Sequence, residues 1–369
     1  MYFKILRRIF AVLQGKLPDP YLLALKRITA TVLIRNRYAQ EALESFSADR
    51  VKDAVSSEFK FQKSYDHDVS IILPVYNMEK FIGRALDSLL EIKTKYDLEI
   101  LVVNDGSTDS SEAIILEKLH DAEVEDGVTF RLINQTNKGF SGARNRGIEE
   151  ARGRYLFFMD VDDKIDSSTV DDLLSAAFED DLDIVQGTAI GFSGDKEWPI
   201  VFDSLSGYPW GKMFKRSLFR NVRFPENAWF EDSIMAYLIY PKVRTYRLVE
   251  GGNYYYFKNR EGITATAKTN PKSIDTFYVM KSMYSMQAKL DVPQTRQRFL
   301  EYERQIKLNS IRVEQLSWKV RYALFQETRI FLEAYLEDNP LMADVRKTGA
   351  VEALLRKDFR SYILETLLS

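Results

Sequence analysis

Between residues 69 and 189 the sequence alternates between apolar, β-branched runs and segments with helical periodicity. The apolar runs, each of which predicts a strand, are VSIILPVY, LEILVVND, VTFRLINQ, RYLFFMDVDD and LDIVQGTA. Helical patterns such as MEKFIGRALDSLLEI separate them. Buried strands that alternate with helices are typical of an α/β fold, in which helices cover both faces of a mostly parallel sheet. Ligands of such sheets bind beyond the carboxyl ends of the strands.

The rest of the chain predicts two helical regions around this α/β portion. We expect a helical N-terminal segment over residues 1–66, the α/β domain over residues 67–268 and a C-terminal helical extension over residues 269–369. The sequence has no cysteine, which excludes disulfides, thiolate nucleophiles and cysteine-ligated zinc. Its two histidines, His67 and His120, lie far apart and disfavour a histidine-rich metal site. Catalytic chemistry is therefore expected to depend on carboxylates.

The first 40 residues are strongly basic, with eight lysines or arginines and a single acid, Asp19. The opening MYFKILRRIFAVL places apolar residues on one helical face and basic residues on the other. Two interpretations stay open: an interfacial helix attracted to anionic lipid, or an amphipathic helix docked on the protein's own core. No apolar run approaches the roughly 18 residues that span a bilayer. Aromatic and basic residues form no recognisable nucleic-acid-binding module.

Polar clusters follow the first four predicted strands, namely PVYN (74–77), NDGSTD (104–109), NKGFSGARN (137–145) and DVDD (160–163). Ordinary turn or capping chemistry explains each one singly, but together they converge on one edge of the sheet. In an extended Asp160-Val161-Asp162 the two carboxylates point the same way. Such a pair suits Mg²⁺ or Mn²⁺ shared with substrate phosphates, and the cation would relieve the repulsion between the carboxylates.

A further acidic pair lies in NAWFEDSIMAYLIY, residues 227–240. Glu231 and Asp232 begin an apolar stretch that predicts a helix, and acids at a helix start are favoured by the helix dipole. Capping is therefore one interpretation of this pair, and a catalytic role is the other.

Taken in their order and spacing, SIILPVYNMEKFIGRALDSLL, LEILVVNDGSTDSS, NKGFSGARNRGIEEARGRYLFFMDVDD and FEDSIM resemble family 2 glycosyltransferases of the GT-A fold. The resemblance implies a Rossmann-like domain and an inverting transferase that depends on a nucleotide sugar, with UDP as the expected nucleotide. The implied acceptor is a hydroxyl of a glycan or lipid-linked glycan, and the implied cofactor is Mn²⁺ or Mg²⁺. In bacterial surface-polysaccharide synthesis such enzymes work in the cytoplasm, at the inner face of the cytoplasmic membrane.

The resemblance also assigns site residues, motif by motif. The positions implied to bind the nucleotide sugar are Pro74, Val75, Tyr76, Glu79, Asp105, Arg144, Asp160 and, through a closing loop, Arg260. The implied metal ligands are Asp162, Asp160 and Asp163, with Asp162 the more direct. Asp232 matches the general base, and Glu231 would position the acceptor. Trp210 and Lys212 lie where relatives carry acceptor-side residues, although the residues alone favour a core aromatic and a surface lysine.

Two alternatives to an active transferase are considered. A haloacid-dehalogenase-like phosphatase also has a DxD motif after a strand, but it prefers Thr or Val where this chain has Asp163. Its nucleophile usually follows the first strand, whereas DVDD follows three strand–helix units. The second alternative is a catalytically inactive nucleotide-sugar-binding or scaffold protein, and the presence of both DVDD and FED argues against it.

Overall fold

The computed structural model describes residues 54–56, 58–61, 64–120, 122, 125–259 and 262–367. The basic N-terminal segment up to residue 53 and the donor-loop residue Arg260 lie outside this description. The described residues fall into two compact units. One lies within Val51–Arg260 and Met283–Val292, and the other includes Glu261–Ser282 and Pro293–Ser369. Across the described ranges, no helix is both long and apolar enough to cross a membrane.

The strands of the described chain are numbered in sequence order. They are β1 (His67–Val75), β2 (Leu98–Asn104), β3 (Val128–Asn134), β4 (Gly153–Phe158), β5 (Lys164–Ile165), β6 (Ile184–Gln186), β7 (Ala189–Ser193), β8 (Lys196–Ile200), β9 (Lys212–Lys215), β10 (Tyr246–Leu248) and β11 (Tyr254–Phe257). A seven-stranded sheet has the order β10-β6-β9-β4-β1-β2-β3. Only β9 runs antiparallel to its neighbours in it, so the predicted mostly parallel sheet is confirmed.

The helices are likewise numbered in sequence order. They are α1 (Ile82–Leu90), α2 (Ser111–His120), α3 (Gly139–Glu150), α4 (Thr169–Glu179), α5 (Ile263–Thr266), α6 (Asp275–Lys289), α7 (Arg296–Arg312), α8 (Trp318–Asp338), α9 (Gly349–Leu355) and α10 (Phe359–Leu367). The predicted C-terminal helices are present as α6 to α10. Aromatic contacts pack α7 against α8, where the Tyr302 and Tyr335 ring centroids lie 5.2 Å apart.

Apolar side chains explain why the centre of the sheet forms as it does. Every residue of β2 is buried, as are the last seven residues of β1. Helix α1 turns a stripe of apolar residues to this core at helical spacing: Ile82, Ala85, Leu86 and Leu89. Gly147 lets α3 approach β1 closely, because a Cβ at this position would lie 2.4 Å from Cγ2 of Ile72. The central strands are thus fixed by their own hydrophobicity, and their carboxyl ends share one edge.

A second, four-stranded sheet has the order β5-β11-β7-β8 and lies in the same unit. Strand β5 follows the DVDD motif directly and pairs antiparallel with β11, which pairs parallel with β7. Strands β7 and β8 form a hairpin whose turn contains Gly194 with φ of 59°. The residues that directly follow the aspartate-rich loop are therefore part of the second sheet.

The structure corrects several local expectations. The apolar run 182–189 divides between two sheets, as β6 and the start of β7. The stretch after Phe230 forms a 3-10 turn and then a π-helix, Met235–Ile239, instead of a regular α-helix. Lys212 is fully buried and donates hydrogen bonds to the carbonyls of Tyr208 and Trp210, so its interpretation as a surface lysine was wrong. The described residues between 54 and 66 form no helix.

Replacing Gly147 by Val is expected to destabilise the fold, because the new side chain would overlap the buried Ile72. Overpacking of this kind lowers the free energy of unfolding by about 1–3 kcal/mol. Urea unfolding of wild type and variant measures the difference. Gly207→Val is the matched control, since a Cβ there meets nothing within 4 Å. Equal stability of the two variants would contradict the close approach of α3 to β1.

Candidate active site

Two loops at the carboxyl ends of β1 and β2 are tied together by reciprocal hydrogen bonds. The Asn77 side chain accepts from the Thr108 amide at 2.8 Å, and Glu79 accepts from the Ser110 amide at 3.1 Å. In return, the Glu79 amide donates to the Asp109 carboxylate at 3.0 Å. Asn77 has a φ of 52°, in the left-handed region that asparagine tolerates better than most residues. Each loop therefore holds the backbone of the other, and the carboxylate of Glu79 is engaged in this contact.

Asp105 follows β2 and is only 1% exposed. One of its carboxylate oxygens accepts hydrogen bonds from the Gln135 side chain at 2.6 Å and from the Lys138 amide at 2.9 Å. Its other oxygen is buried and accepts no hydrogen bond from the described residues. A buried polar atom without a partner is unfavourable by about 1–3 kcal/mol. The atom is therefore suited to an N–H group brought by a ligand.

The end of β1 lies beside Asp105. The Val75 carbonyl accepts a hydrogen bond from the Asp105 amide at 2.8 Å, and Pro74 is paired with Val103 in the β1–β2 register. Tyr76, the next residue, is 44% exposed although its neighbours in β1 are buried. An exposed aromatic ring and a buried carboxylate oxygen thus lie at adjacent strand ends, which suits a flat, nitrogen-bearing ring as ligand.

The DVDD loop begins just after β4, and its three aspartates have different partners. Asp160 accepts from Arg144 Nη2 at 2.6 Å, and Asp162 accepts from the Asn259 side chain at 3.1 Å. Both oxygens of the fully buried Asp163 are engaged with β11, one by the Tyr254 hydroxyl and one by the Phe257 amide. This arrangement ties Asp163 to the second sheet and disfavours it as a metal ligand, in contrast to the expectation from the sequence.

Repulsion between these carboxylates persists within the protein. Burial, followed by the charge of Asp160, raises the pKa of Asp162 above its ordinary value. Burial, followed by the charges of Asp160 and Asp162, raises the pKa of Asp163 well above its ordinary value. A cation next to the loop would favour the ionised carboxylates. Asp166, shortly after the loop, accepts a hydrogen bond from Asn253 at 2.8 Å.

Arg144 joins the DVDD loop to the acidic pair that lies about 70 residues later in the chain. Its guanidinium donates to Asp160 at 2.6 Å and to Glu231 at 2.5 Å, and the residue is only 6% exposed. Burial acts to lower the pKa of Arg144, but the charges of Asp160 and Glu231 outweigh it and raise the pKa. Phe140 and Phe224 pack against the guanidinium. One buried cation therefore holds two motifs that are distant in sequence.

Glu231 and Asp232 lie in a tight turn that the preceding residue makes unusual. Phe230 has a φ of 66°, a left-handed conformation that is a real outlier for a bulky side chain. Burial raises the pKa of Glu231 to about 7, against the opposing charge of Arg144. Burial, followed by the charge of Asp232, raises the pKa of Tyr240. Asp232 is thus close enough to Tyr240 for its negative charge to raise the pKa of the Tyr240 hydroxyl.

Three residues that contact the DVDD loop were not singled out in the sequence. Tyr254 holds Asp163 and accepts a hydrogen bond from the Asp160 amide at 3.0 Å, Asn259 contacts Asp162, and Arg84 donates to the Asp162 carbonyl. Arg84 lies in the amphipathic helix α1, and Tyr254 and Asn259 lie more than 90 residues after the loop. No local spacing connects them with the aspartates.

Residues 70–234 match the family model described as Glycosyl transferase family 2. Glycosyltransferase GlyA of Streptococcus pneumoniae is 32% identical over 202 residues, which cover 47% of this chain and 28% of that protein. The uncharacterized glycosyltransferase EpsJ of Bacillus subtilis is 33% identical over 222 residues, covering 53% of this chain and 62% of that protein. The chain therefore spans less than two thirds of either relative.

A solved structure of Staphylococcus aureus TarS, residues 1–349, in complex with UDP-GlcNAc matches with a TM-score of 0.61. The match has 19% sequence identity and covers 81% of this chain and 90% of that one. At this identity the match concerns the fold, and it agrees with the GT-A fold expected from the sequence. The chain thus matches the model of glycosyltransferase family 2 over residues 70–234, which are 165 of its 369 residues.

Replacing Arg144 by Met is expected to leave the carboxylates of Asp160 and Glu231 without their shared cation, and Glu231 is buried. Breaking a buried ion pair from one side lowers the free energy of unfolding by about 3–5 kcal/mol. Arg146→Met is the matched control on the same helix, because Arg146 forms a partly exposed pair with Glu150 at 2.9 Å. That control is expected to lose at most about 1 kcal/mol. Urea unfolding of both variants decides, and similar losses would contradict the bridging role.

Proposed function

We propose that the protein is an inverting glycosyltransferase that moves a sugar from a UDP sugar to a hydroxyl of a glycan or lipid-linked glycan. The observation that carries this proposal is the bridge from Asp160 through Arg144 to Glu231. It joins the acidic loop at the carboxyl end of β4 to the acidic pair containing Asp232. An electrophile held at the first group and a nucleophile held at the second would therefore meet in one site.

The nucleotide is proposed to bind at the ends of β1 and β2. The free, buried oxygen of Asp105 would accept the N–H of a uracil ring, and the exposed ring of Tyr76 would pack on the base. Pro74 and Val75 form the buried floor beside Asp105. The complexes of TarS with UDP and UDP-GlcNAc support a uridine donor, as a proposal for this chain. The engaged carboxylate of Glu79 is assigned to holding the loop.

The oxygens of Asp160 and Asp162 fit a divalent cation. One carboxylate oxygen of Asp160 accepts from Arg144 and one of Asp162 accepts from Asn259, and no second side chain of the described residues donates to either carboxylate. Hard oxygen ligands suit Mn²⁺ or Mg²⁺, which commonly take few protein ligands and complete their shell with phosphate oxygens and water. No group of three acidic or histidine side chains in the described ranges is arranged to hold a metal. When bound, the cation would offset the charge that develops on the departing diphosphate.

Asp232 is proposed as the general base. An acceptor hydroxyl has a pKa far above 7, so it must lose its proton as its oxygen attacks the anomeric carbon. The new bond forms while the bond from the anomeric carbon to the diphosphate oxygen breaks, and the proton passes to the Asp232 carboxylate. Glu231, fixed by Arg144, would position the acceptor and keep Asp232 in place. Attack from the face opposite the leaving group inverts the configuration.

The acceptor and the cellular site are proposed from the family likeness alone. A glycan or lipid-linked glycan would be met at the inner face of the cytoplasmic membrane, with the basic N-terminal segment as the point of contact. That segment lies outside the described residues, as does Arg260, which would reach the diphosphate when its loop closes.

Replacing Asp105 by Asn is expected to weaken UDP binding about 10- to 100-fold. The change removes a charged acceptor and can place an amide donor opposite the N–H of the base, a loss of about 1.5–3 kcal/mol. Calorimetric titration of UDP in the presence of Mn²⁺ measures the dissociation constant. Asp195→Asn, in the exposed turn between β7 and β8, is the control. An unchanged constant in Asp105→Asn would contradict the proposed base contact.

Asp232→Asn is expected to lower the rate of UDP release from a UDP sugar about 100-fold or more, since general base catalysis contributes that much. Asp232→Asn should leave the affinity for UDP in the presence of Mn²⁺ unchanged. Asp162→Asn should lower both that affinity and the rate of UDP release. Assaying the wild type and both variants with a panel of UDP sugars measures the rates. Equal rates in all three would favour an inactive binding protein. Hydrolysis of simple phosphomonoesters that is lost in Asp160→Asn would favour a phosphatase.

A further inference from the structure

Arg84 contacts the DVDD loop from the side of helix α1. Its Nη2 donates a hydrogen bond to the main-chain carbonyl of Asp162 at 2.5 Å. The contact is made to the peptide that joins Asp162 to Asp163, and no carboxylate oxygen accepts from Arg84 in the described chain. Arg84 therefore holds the path of the backbone between two aspartates.

Three aromatic rings surround the Arg84 guanidinium. Its central carbon lies 4.8 Å from the ring centroid of Phe257, 4.9 Å from that of Phe192 and 5.8 Å from that of Phe81. Phe192 and Phe257 are paired residues of β7 and β11. Stacking on aromatic faces and a planar donor group are properties of arginine that lysine does not reproduce. The rings fix the plane of the guanidinium and hence the direction of its hydrogen bond.

The same rings connect Arg84 to Asp163. The Phe257 amide donates to Asp163 at 2.7 Å, so one residue of β11 contacts both Arg84 and the neighbouring carboxylate. Burial lowers the pKa of Arg84, while the charges of Asp162 and Asp163 oppose that change. Its Nε is buried and has no hydrogen-bond partner among the described residues. The aromatic rings and the Asp162 carbonyl therefore hold the Arg84 guanidinium in a position where one of its N–H groups has no partner. This geometry fits a residue whose role is to hold the loop.

We propose that Arg84 is a positioning residue that sets the direction of the Asp162 carboxylate toward the divalent cation and the diphosphate. The inference rests on the proposed function, because it concerns the same acidic loop. Arg84 fixes the carbonyl of Asp162 while β11 fixes the side chain of Asp163. The turn is therefore held on both sides of one peptide bond, and the Asp162 side chain is left to face the cation.

Two variants separate positioning from charge. Arg84→Lys keeps the positive charge but loses the planar donor and its stacking, and Arg84→Met loses both. If Arg84 positions the loop, both variants should raise the Mn²⁺ concentration needed for half-maximal UDP release about tenfold, as loss of groups that orient metal ligands typically does. Both should also reduce the rise in Tm that UDP and Mn²⁺ produce together, while UDP alone produces the wild-type shift.

Arg154 supplies matched controls. Its guanidinium packs over Phe178 at 5.0 Å and pairs with Asp181 at 2.6 Å, and it contacts no residue of the DVDD loop in the described chain. Arg154→Lys and Arg154→Met should keep the wild-type Mn²⁺ dependence. Phe192→Leu opens the aromatic enclosure without changing Arg84 and should raise the Mn²⁺ requirement by a smaller factor. This variant keeps the test available if Arg84→Met does not fold.

Each outcome has a distinct meaning. Wild-type Mn²⁺ dependence in Arg84→Lys together with a loss in Arg84→Met would overturn positioning in favour of charge alone. A lower Tm with unchanged Mn²⁺ dependence in both variants would overturn it in favour of a purely structural role. If the wild-type protein showed no Tm shift with UDP and Mn²⁺ and released no UDP from any UDP sugar, the proposed function would fail instead.

Discussion

A buried arginine shared by two carboxylates is the interaction on which the candidate site depends. Asp160 follows the central strand β4, and Glu231 lies in a 3-10 turn between β9 and β10. Without Arg144, burial would favour protonation of Glu231 and leave Asp160 among other acids with no internal counter-charge. With it, the two segments are held within the span of one guanidinium. The distance between the groups proposed to act on the donor and on the acceptor is thus fixed by the Arg144 side chain.

The three aspartates of the DVDD loop are stabilised by different partners and to different extents. Arg144 compensates Asp160, β11 engages Asp163 fully, and Asn259 takes one oxygen of Asp162. Neutral hydrogen-bond donors satisfy lone pairs but do not remove charge, which is why burial and neighbouring acids still raise the pKa of Asp162. The remaining repulsion is concentrated where Asp160 and Asp162 each retain an oxygen that can accept a ligand. That is the arrangement a divalent cation favours.

The sequence predicted the central sheet well, since β1, β2 and β4 are apolar on both faces and follow strong local signals. It also indicated which strand ends would carry polar residues. It could not predict that Arg144 would bridge Asp160 to Glu231, because that contact depends on how β9 and the following turns return to the edge of the sheet. The burial of Lys212 was missed for a similar reason. Lysine is rarely buried, and its acceptors here are the Ser206 hydroxyl and two main-chain carbonyls, which no local sequence pattern indicates.

The second sheet explains why the roles of the aspartates in the DVDD motif could not be assigned without the tertiary structure. In DVDD the spacing pairs Asp160 with Asp162 but does not show what Asp163 contacts, and it is β11 that offers a tyrosine hydroxyl and a backbone amide to Asp163. The same strand packs Phe257 on Arg84, which in turn fixes the Asp162 carbonyl. Strand β11 therefore divides the loop into a structural aspartate and two aspartates with free oxygens. A cluster of carboxylates can bind a ligand in one defined direction only when the protein itself engages some of those carboxylates in hydrogen bonds.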